Sequence, residues 1–318
     1  MHQNKLQDAG LCASANFAGL TTVTTLSAYN TCCLFACHFS QLFDNPWILD
    51  DSFKIKDLGE AHYFLGLEII KQPTGILVSQ HKFTSDLLAE FHCSTVTPVV
   101  SPLELYRKLS AESGDPCPDP SLYRKLVGKL NFLQHTRPDI SFAVQHVSQF
   151  LHYPRLPHLE AGLHVLRYLA GSPGLGILLN DSPDFSLSGY CDSDWAGCVQ
   201  TRRSITGFYI LLGGSPASWK AKKQPTIAPS SAKAEYRALR KIVAEISWLV
   251  PLFDDFGVSG LSPVQVFCDN QAALHIARNP VFHECTKHIE IDCYFVRKKL
   301  NDGLISLQYV HSYISITG

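Results

Sequence analysis

Gly189-Tyr190-Cys191-Asp192-Ser193-Asp194-Trp195-Ala196 opens the region whose reading decides the fold. Leu187–Asp192 reads as a strand. Two further strand-like runs follow, Ile205–Leu212 and Ala217–Lys223. A long helix is predicted from Ser231 to Phe256, with Pro251 expected to kink it or end it early. Then come strand Val264–Asp269, a helix through Ala277, a helix from Thr286 to Leu300 and strand Ile305–Val310. Three strands, helix, strand, helices and strand make a mixed α/β layer.

Upstream, Ala61–Lys71 and Ile76–Gln80 flank the turn Pro73-Thr74-Gly75 and read as a β-hairpin. His81–Phe91 has helical spacing, and the Pro- and Ser-rich stretch Pro98–Pro120 reads as a linker. Three helices follow. Pro120–Thr136 is expected to bury Leu122, Leu126, Leu130 and Leu133, and Pro138–Leu151 starts on a helix-opening proline. His158–Ala170 carries Leu159, Leu163, Leu166 and Leu169. Gly174–Leu179 looks like a strand, and the loop Asp181–Asp184 is the expected boundary before the second region.

The 318 residues are long enough for two domains, and 46% apolar against 17% charged residues exclude wholesale disorder. A net charge of −1 excludes a strongly basic or acidic protein, while leaving room for a local basic groove. Eleven cysteines without a C-x-x-C spacing read as free and mostly buried, which implies a reducing intracellular compartment, cytoplasm or nucleus. The stretch Ala9–Phe43 has no charged side chain, yet it is broken by Ser, Thr, Asn and Gln. Residues 1–52 are therefore expected to be a poorly ordered leader, with a membrane or targeting segment as the alternative.

Three acids sit at corresponding places in the second region. Asp192 ends its first strand, Glu235 lies early in the long helix, and Asp269 ends the fourth strand before Asn270 opens a helix. Neighbouring central strands that end together bring their last side chains close, and a helix packed across them can add a third carboxylate. Clustered carboxylates suit hard divalent cations such as Mg²⁺ or Mn²⁺. Taken singly, each acid also fits a cap or a turn; Asp269-Asn270 before a helix is such a case.

Taken together, these motifs resemble copia-type LTR retrotransposon Pol polyproteins. The first motif, Arg202-Arg203-Ser204-Ile205-Thr206-Gly207, Ser218-Trp219-Lys220 with Lys222-Lys223-Gln224, Ser230-Ser231-Ala232-Lys233-Ala234-Glu235-Tyr236 and Cys268-Asp269-Asn270-Gln271 resemble the family's ribonuclease H domain. So do Asn279-Pro280-Val281-Phe282-His283 and Thr286-Lys287-His288-Ile289-Glu290. Lys56-Asp57-Leu58-Gly59, Tyr63-Phe64-Leu65-Gly66 and Thr136-Arg137-Pro138-Asp139-Ile140 resemble the C-terminal part of its reverse transcriptase.

The resemblance implies a ribonuclease H-like mixed sheet with flanking helices over residues 185–318. Before it, over residues 53–180, it implies a mainly helical, thumb- or connection-like reverse-transcriptase region with a β-hairpin. Asp192, Glu235 and Asp269 match three of the family's four metal-binding acids. The implied activity is metal-dependent hydrolysis of the RNA strand of an RNA–DNA hybrid, with Mg²⁺ or Mn²⁺. The family uses two ions; one or two are expected here. The implied partners are the hybrid and the rest of a retrotransposon polyprotein, and no membrane partner is expected.

Two departures weaken the expected activity. Residues 1–52 hold no Tyr-Val-Asp-Asp polymerase motif, so polymerase chemistry is not expected. The family's fourth acid follows its last strand, whereas here Tyr309-Val310-His311-Ser312 leads into Tyr313-Ile314-Ser315, a domain read as truncated. Glu290 and Asp292 are the candidate substitutes. A weak nuclease is expected, or an inactive remnant that binds nucleic acid or has no function.

Arg202, Arg203, Lys220, Lys222 and Lys223 form the candidate nucleic-acid-binding set, interleaved with Tyr209 and Trp219. Residues 186–318 carry 14 basic and 11 acidic side chains, a balance of +3 against −4 for the rest. Solvated hairpin charges are the alternative. His283, Cys285, His288 and Cys293 lack zinc-ligand spacing.

Overall fold

A computed structural model describes residues 62–104, 109–279 and 290–311. The expected leader, the Lys56–Gly59 motif, His283, Cys285, His288 and the start of the Thr286 helix lie outside the described residues.

The hairpin reading leads to β1 (Tyr63–Phe64), β2 (Leu67–Gln72) and β3 (Gly75–Ser79), followed by α1 (His81–Glu90). The helical region comprises α2 (Pro120–Leu133), α3 (Ser141–Val147) and α4 (Leu156–Ala170). Single 3₁₀ turns at Pro138–Ile140 and Ser148–Phe150 flank α3. The Asp119 side chain caps α2 by accepting from the Ser121 and Leu122 amides, and Pro120 takes the first helical position. Strand β4 (Ile177–Asn180) returns to pair antiparallel with β3 and completes a sheet ordered β1-β2-β3-β4.

The helical face differs from expectation by one residue. Tyr123, Leu126, Val127, Leu130 and Leu133 are buried, whereas Leu122 is 38% exposed. Helix α4 likewise buries Ala161, Gly162, Val165, Leu166 and Leu169 rather than a row of leucines. Tyr123 explains the rotation of α2, because its hydroxyl donates to the Val147 carbonyl at 2.6 Å across the bundle. Arg137, 1% exposed, is held by Asp139 at 2.7 Å and donates to the Ser172 carbonyl at 2.8 Å.

The second sheet contains β5 (Leu187–Asp194), β6 (Ile205–Leu212), β7 (Ser215–Lys223), β8 (Val264–Cys268) and β9 (Ile305–Tyr309), ordered β7-β6-β5-β8-β9. The β7–β6 and β6–β5 pairs are antiparallel; β5–β8 and β8–β9 are parallel. This is the ribonuclease H-like mixed sheet of the expectation. Helices α5 (Ser231–Asp255), α6 (Gln271–Arg278) and α7 (Glu290–Asn301) flank it.

Helix α5 starts where Ser230 accepts from the Lys233 amide, and continues through Pro251 to Asp255 rather than stopping early. Pro251 lies near its end, where buried Leu249 and Phe253 hold the helix to the core. Its inner stripe, with Ala238, Leu239, Ile242, Val243 and Ile246, lies on β5. At Gly189 an added Cβ would sit 2.6 Å from Ile242 Cδ1. Glycine thus lets helix and strand approach, and overpacking there costs about 1–3 kcal/mol.

The two sheets belong to one compact unit. The Asn180 side-chain Nδ2 donates to the Gly213 carbonyl at 2.8 Å, and the Trp219 indole donates to the Gln134 carbonyl at 3.0 Å. Among the described residues no helix is long and apolar enough to cross a membrane. The six described cysteines, Cys93, Cys117, Cys191, Cys198, Cys268 and Cys293, are free and buried.

Candidate metal centre

Strands β5 and β8 run parallel with Cys191 opposite Cys268. Asp192 and Asp269 therefore occupy equivalent positions, one residue further along their strands. Strand β5 extends two residues past Asp192 to Asp194, so Asp192 marks the end of its pairing with β8 rather than the end of the strand. Glu235 reaches the same place from the first turns of α5.

The ligand atoms of Glu235, Cys268 and Asp269 lie within 4.8 Å of one another. Asp192, exposed, lies outside that group and is coupled to it electrostatically. The surrounding protein and the charge of Asp269 raise its carboxyl above the usual range. Burial, followed by the charges of Asp192, Cys268 and Asp269, pushes Glu235 up to about 9. The buried thiols of Cys191 and Cys268 share a hydrogen bond; it favours the Cys268 thiolate and, with burial, raises Cys191.

Glu235 is 5% exposed. Its Oε1 accepts the Ser193 amide at 3.0 Å, and its Oε2 has no hydrogen-bond partner. An unpartnered buried carboxylate oxygen is costly, and the Asp269 carboxylate and the Cys268 sulfur lie in the same 4.8 Å group as Glu235. That orphaned atom and the carboxylate donor set fit a hard divalent cation; the Cys268 sulfur adds a softer donor.

Gln224 stands in the Lys222-Lys223-Gln224 motif, but its part in fixing Glu235 was not readable there. Buried Gln224 follows β7, and its Nε2 lies 3.0 Å from the Thr206 hydroxyl, 3.0 Å from the Ala234 carbonyl and 3.3 Å from the Ser193 hydroxyl. One amide thus ties β5, β6 and the first turn of α5 together. A buried glutamine after two lysines was the available signal, but its convergence requires the fold.

Among the other candidates, Asp292 pairs with Arg240 at 3.3 Å and Glu290 is exposed on the first turn of α7; neither belongs to the 4.8 Å group. Asp194 is exposed, with its carboxyl raised by partial burial and drawn down by His146. The basic set does not share one face. Ser218 bonds Glu245 on α5, whereas Trp219 bonds Gln134 in the helical region. By strand alternation Lys220 and Lys222 lie on the α5 side, and Lys223 on the opposite side. Lys223 donates to Gln149 Oε1 at 2.7 Å, burial lowers Lys220, and Lys222 is exposed. Arg202, in the left-handed backbone region at φ 52°, is exposed, and Arg203 is half-buried in the loop before β6.

No family model matches the chain. The "Retrovirus-related Pol polyprotein from transposon RE1" of Arabidopsis thaliana is 42% identical over 265 residues, covering 83% of this chain and 18% of that polyprotein. The chain thus spans less than a fifth of that relative's length. The "Uncharacterized mitochondrial protein AtMg00810" of the same plant is 43% identical over 200 residues, 63% of this chain and 83% of that protein. The "Putative transposon Ty5-1 protein YCL074W" of Saccharomyces cerevisiae is 30% identical over 253 residues, 76% of this chain and 82% of that protein. Among solved structures, a foamy viral protease-reverse transcriptase in complex with an RNA/DNA hybrid is 12% identical, with a TM-score of 0.40 over 78% of this chain and 28% of that one.

Proposed function

The chain belongs to the copia-type, retrovirus-related Pol polyproteins of transposons, and from that membership we propose that its second region is a metal-dependent ribonuclease cutting the RNA strand of RNA–DNA hybrids. The observation that carries this reading is the grouping of Glu235 with Asp269, with Asp192 one residue past the paired Cys191 on the neighbouring strand and the buried Glu235 Oε2 unpartnered. These three carboxylates would hold Mg²⁺ or Mn²⁺. Such a cation, when bound, supplies Lewis acidity to activate water and to stabilise the leaving oxygen.

The chain's own groups have separable tasks. The Ser193 amide fixes Glu235 Oε1 and leaves Oε2 free of hydrogen bonds and available to a cation. Without a cation, the burial and neighbouring charges that raise the Glu235 carboxyl favour its protonated form, which relieves repulsion from its neighbours. Asp269, half-buried, connects the centre to solvent. Arg202, Arg203 and Lys222 supply positive charge for the hybrid backbone, whose form is read through phosphates and ribose 2′-hydroxyls.

The test is cleavage of a labelled hybrid by the purified chain with Mg²⁺ or Mn²⁺, against single-stranded RNA and duplex DNA. Glu235→Gln and Asp269→Asn should each lower hybrid cleavage by more than the roughly 10–100-fold typical of outer-shell partners. Activity retained in both variants rules the centre out. A second reading is an inactive remnant that binds nucleic acid or has no function. It is favoured by Asp292 pairing with Arg240, while the group within 4.8 Å holds two acids, Glu235 and Asp269, among the described residues. Hybrid binding without cleavage in either metal selects it.

A further inference from the structure

We propose that Glu235, Cys268 and Asp269 form a mixed carboxylate–thiolate site for a thiophilic divalent cation of the zinc class. The proposal rests on reading the cluster as a divalent-cation centre, and it adds a sulfur ligand to that centre. Three ligand atoms of different softness lie within 4.8 Å of one another. Glu235 Oε2 is a buried acceptor with nothing to accept from, and a cation would satisfy it.

Cys268 is fully buried, and its backbone is held on both sides by the pairing of β8 with β5 and β9. Its sulfur lies beside the Glu235 and Asp269 carboxylates. Asp269, half-buried at the rim, gives the ion an entry path. Magnesium gains little from a thiolate, whereas zinc takes Cys sulfur at about 2.3 Å and carboxylate oxygen at about 2.0–2.2 Å. Three protein ligands leave a fourth position for water. On binding, the Cys268 S–H bond breaks, a sulfur–metal bond forms, and the proton passes to solvent. A zinc-class ion and a hard ion would then compete for Glu235 and Asp269.

The experiment titrates the full chain with Cd²⁺, following the ultraviolet sulfur-to-cadmium charge-transfer band, and with Mn²⁺ by electron paramagnetic resonance. The chain holds 11 cysteines, so the assignment comes from variants. The expected result is that Cys268→Ser and Asp269→Asn remove the saturable tight component of the band, lowering Cd²⁺ affinity at least about tenfold. Cys191→Ser, which alters the facing thiol outside the group, retains it, and Cys268→Ser still binds Mn²⁺. Asp269→Asn gives the same readout without altering the buried core. A tight band unchanged in Cys268→Ser or Asp269→Asn overturns the proposal. Mn²⁺ binding without a tight cadmium–sulfur band overturns the sulfur ligand and leaves the nuclease reading standing. Failure to bind either ion overturns both.

Discussion

Glu235 sets the pH response of the centre. Its folded pKa of about 9 exceeds the ordinary 4.5, so the folded chain binds this proton more tightly than the unfolded chain does. This contribution to stability is present below the ordinary value and is lost as pH rises through that window. Glu235→Gln keeps the shape and removes the ionisation. Between about pH 5 and about pH 8.5, the denaturation midpoint of the cation-free chain should fall more steeply than that of Glu235→Gln. Parallel pH profiles for the two chains would contradict the assignment. The acids themselves are legible in the sequence, because each lies near the end of a recognisable strand or the start of a helix. The place of Cys268 beside them was not. It reads as an ordinary buried strand residue until the helix carrying Glu235 is packed over it.

At the scale of elements, β7 and the turn after it join the two functions assigned to this edge. Gln224→Ala leaves the Thr206 hydroxyl and the Ala234 carbonyl without the partner now 3.0 Å from each. The loss should cost about 1–3 kcal/mol in chemical denaturation. It should also weaken Mn²⁺ binding by roughly 10–100-fold, because the first turn of α5 no longer holds Glu235 in place. A stability loss with unchanged Mn²⁺ affinity would make Gln224 a framework residue only.

The same strand divides its lysines. Lys222→Ala should reduce the salt slope of hybrid binding by about one, as expected for one lost phosphate contact. Lys223→Ala, which loses the 2.7 Å bond to Gln149, should instead lower stability with little change in that slope. Equal effects of the two substitutions on binding would show that strand alternation does not separate them. The basic residue types were readable in the sequence; their division between two faces follows from a pleat of period two and from which helices cover each face.

Across the whole molecule, the helical region and the mixed sheet are tied by Trp219 to Gln134, Asn180 to Gly213 and Lys223 to Gln149. His158 lies inside the helical region, fully buried and stacked on Phe150 at 3.9 Å. Its Nδ1 accepts the Arg155 amide, so its Nε2–H donates to the Ser110 carbonyl at 3.0 Å. Burial lowers its pKa below the ordinary 6.5, so its contribution to stability is full above that value and is lost as pH falls below it. Acidification should therefore destabilise the helical region and, through the ties, the sheet. Near-ultraviolet signals and hydrogen exchange of the two parts should report one transition. Separate midpoints would show that the ties do not couple them.

The sequence by itself determined the order of elements, the strand–helix alternation and the three acids, because periodicity, caps and turns are local properties of the chain. It also carried the family, since motif order survives without coordinates. Only the tertiary structure decided that Tyr123 rather than Leu122 faces the bundle, because the Val147 carbonyl across the bundle takes the Tyr123 hydroxyl. It decided that α5 runs through Pro251, because Leu249 and Phe253 are buried against the core on either side. It brought Cys268, Gln224 and Ser193 to Glu235, because their proximity depends on strand register and helix packing between residues distant in sequence.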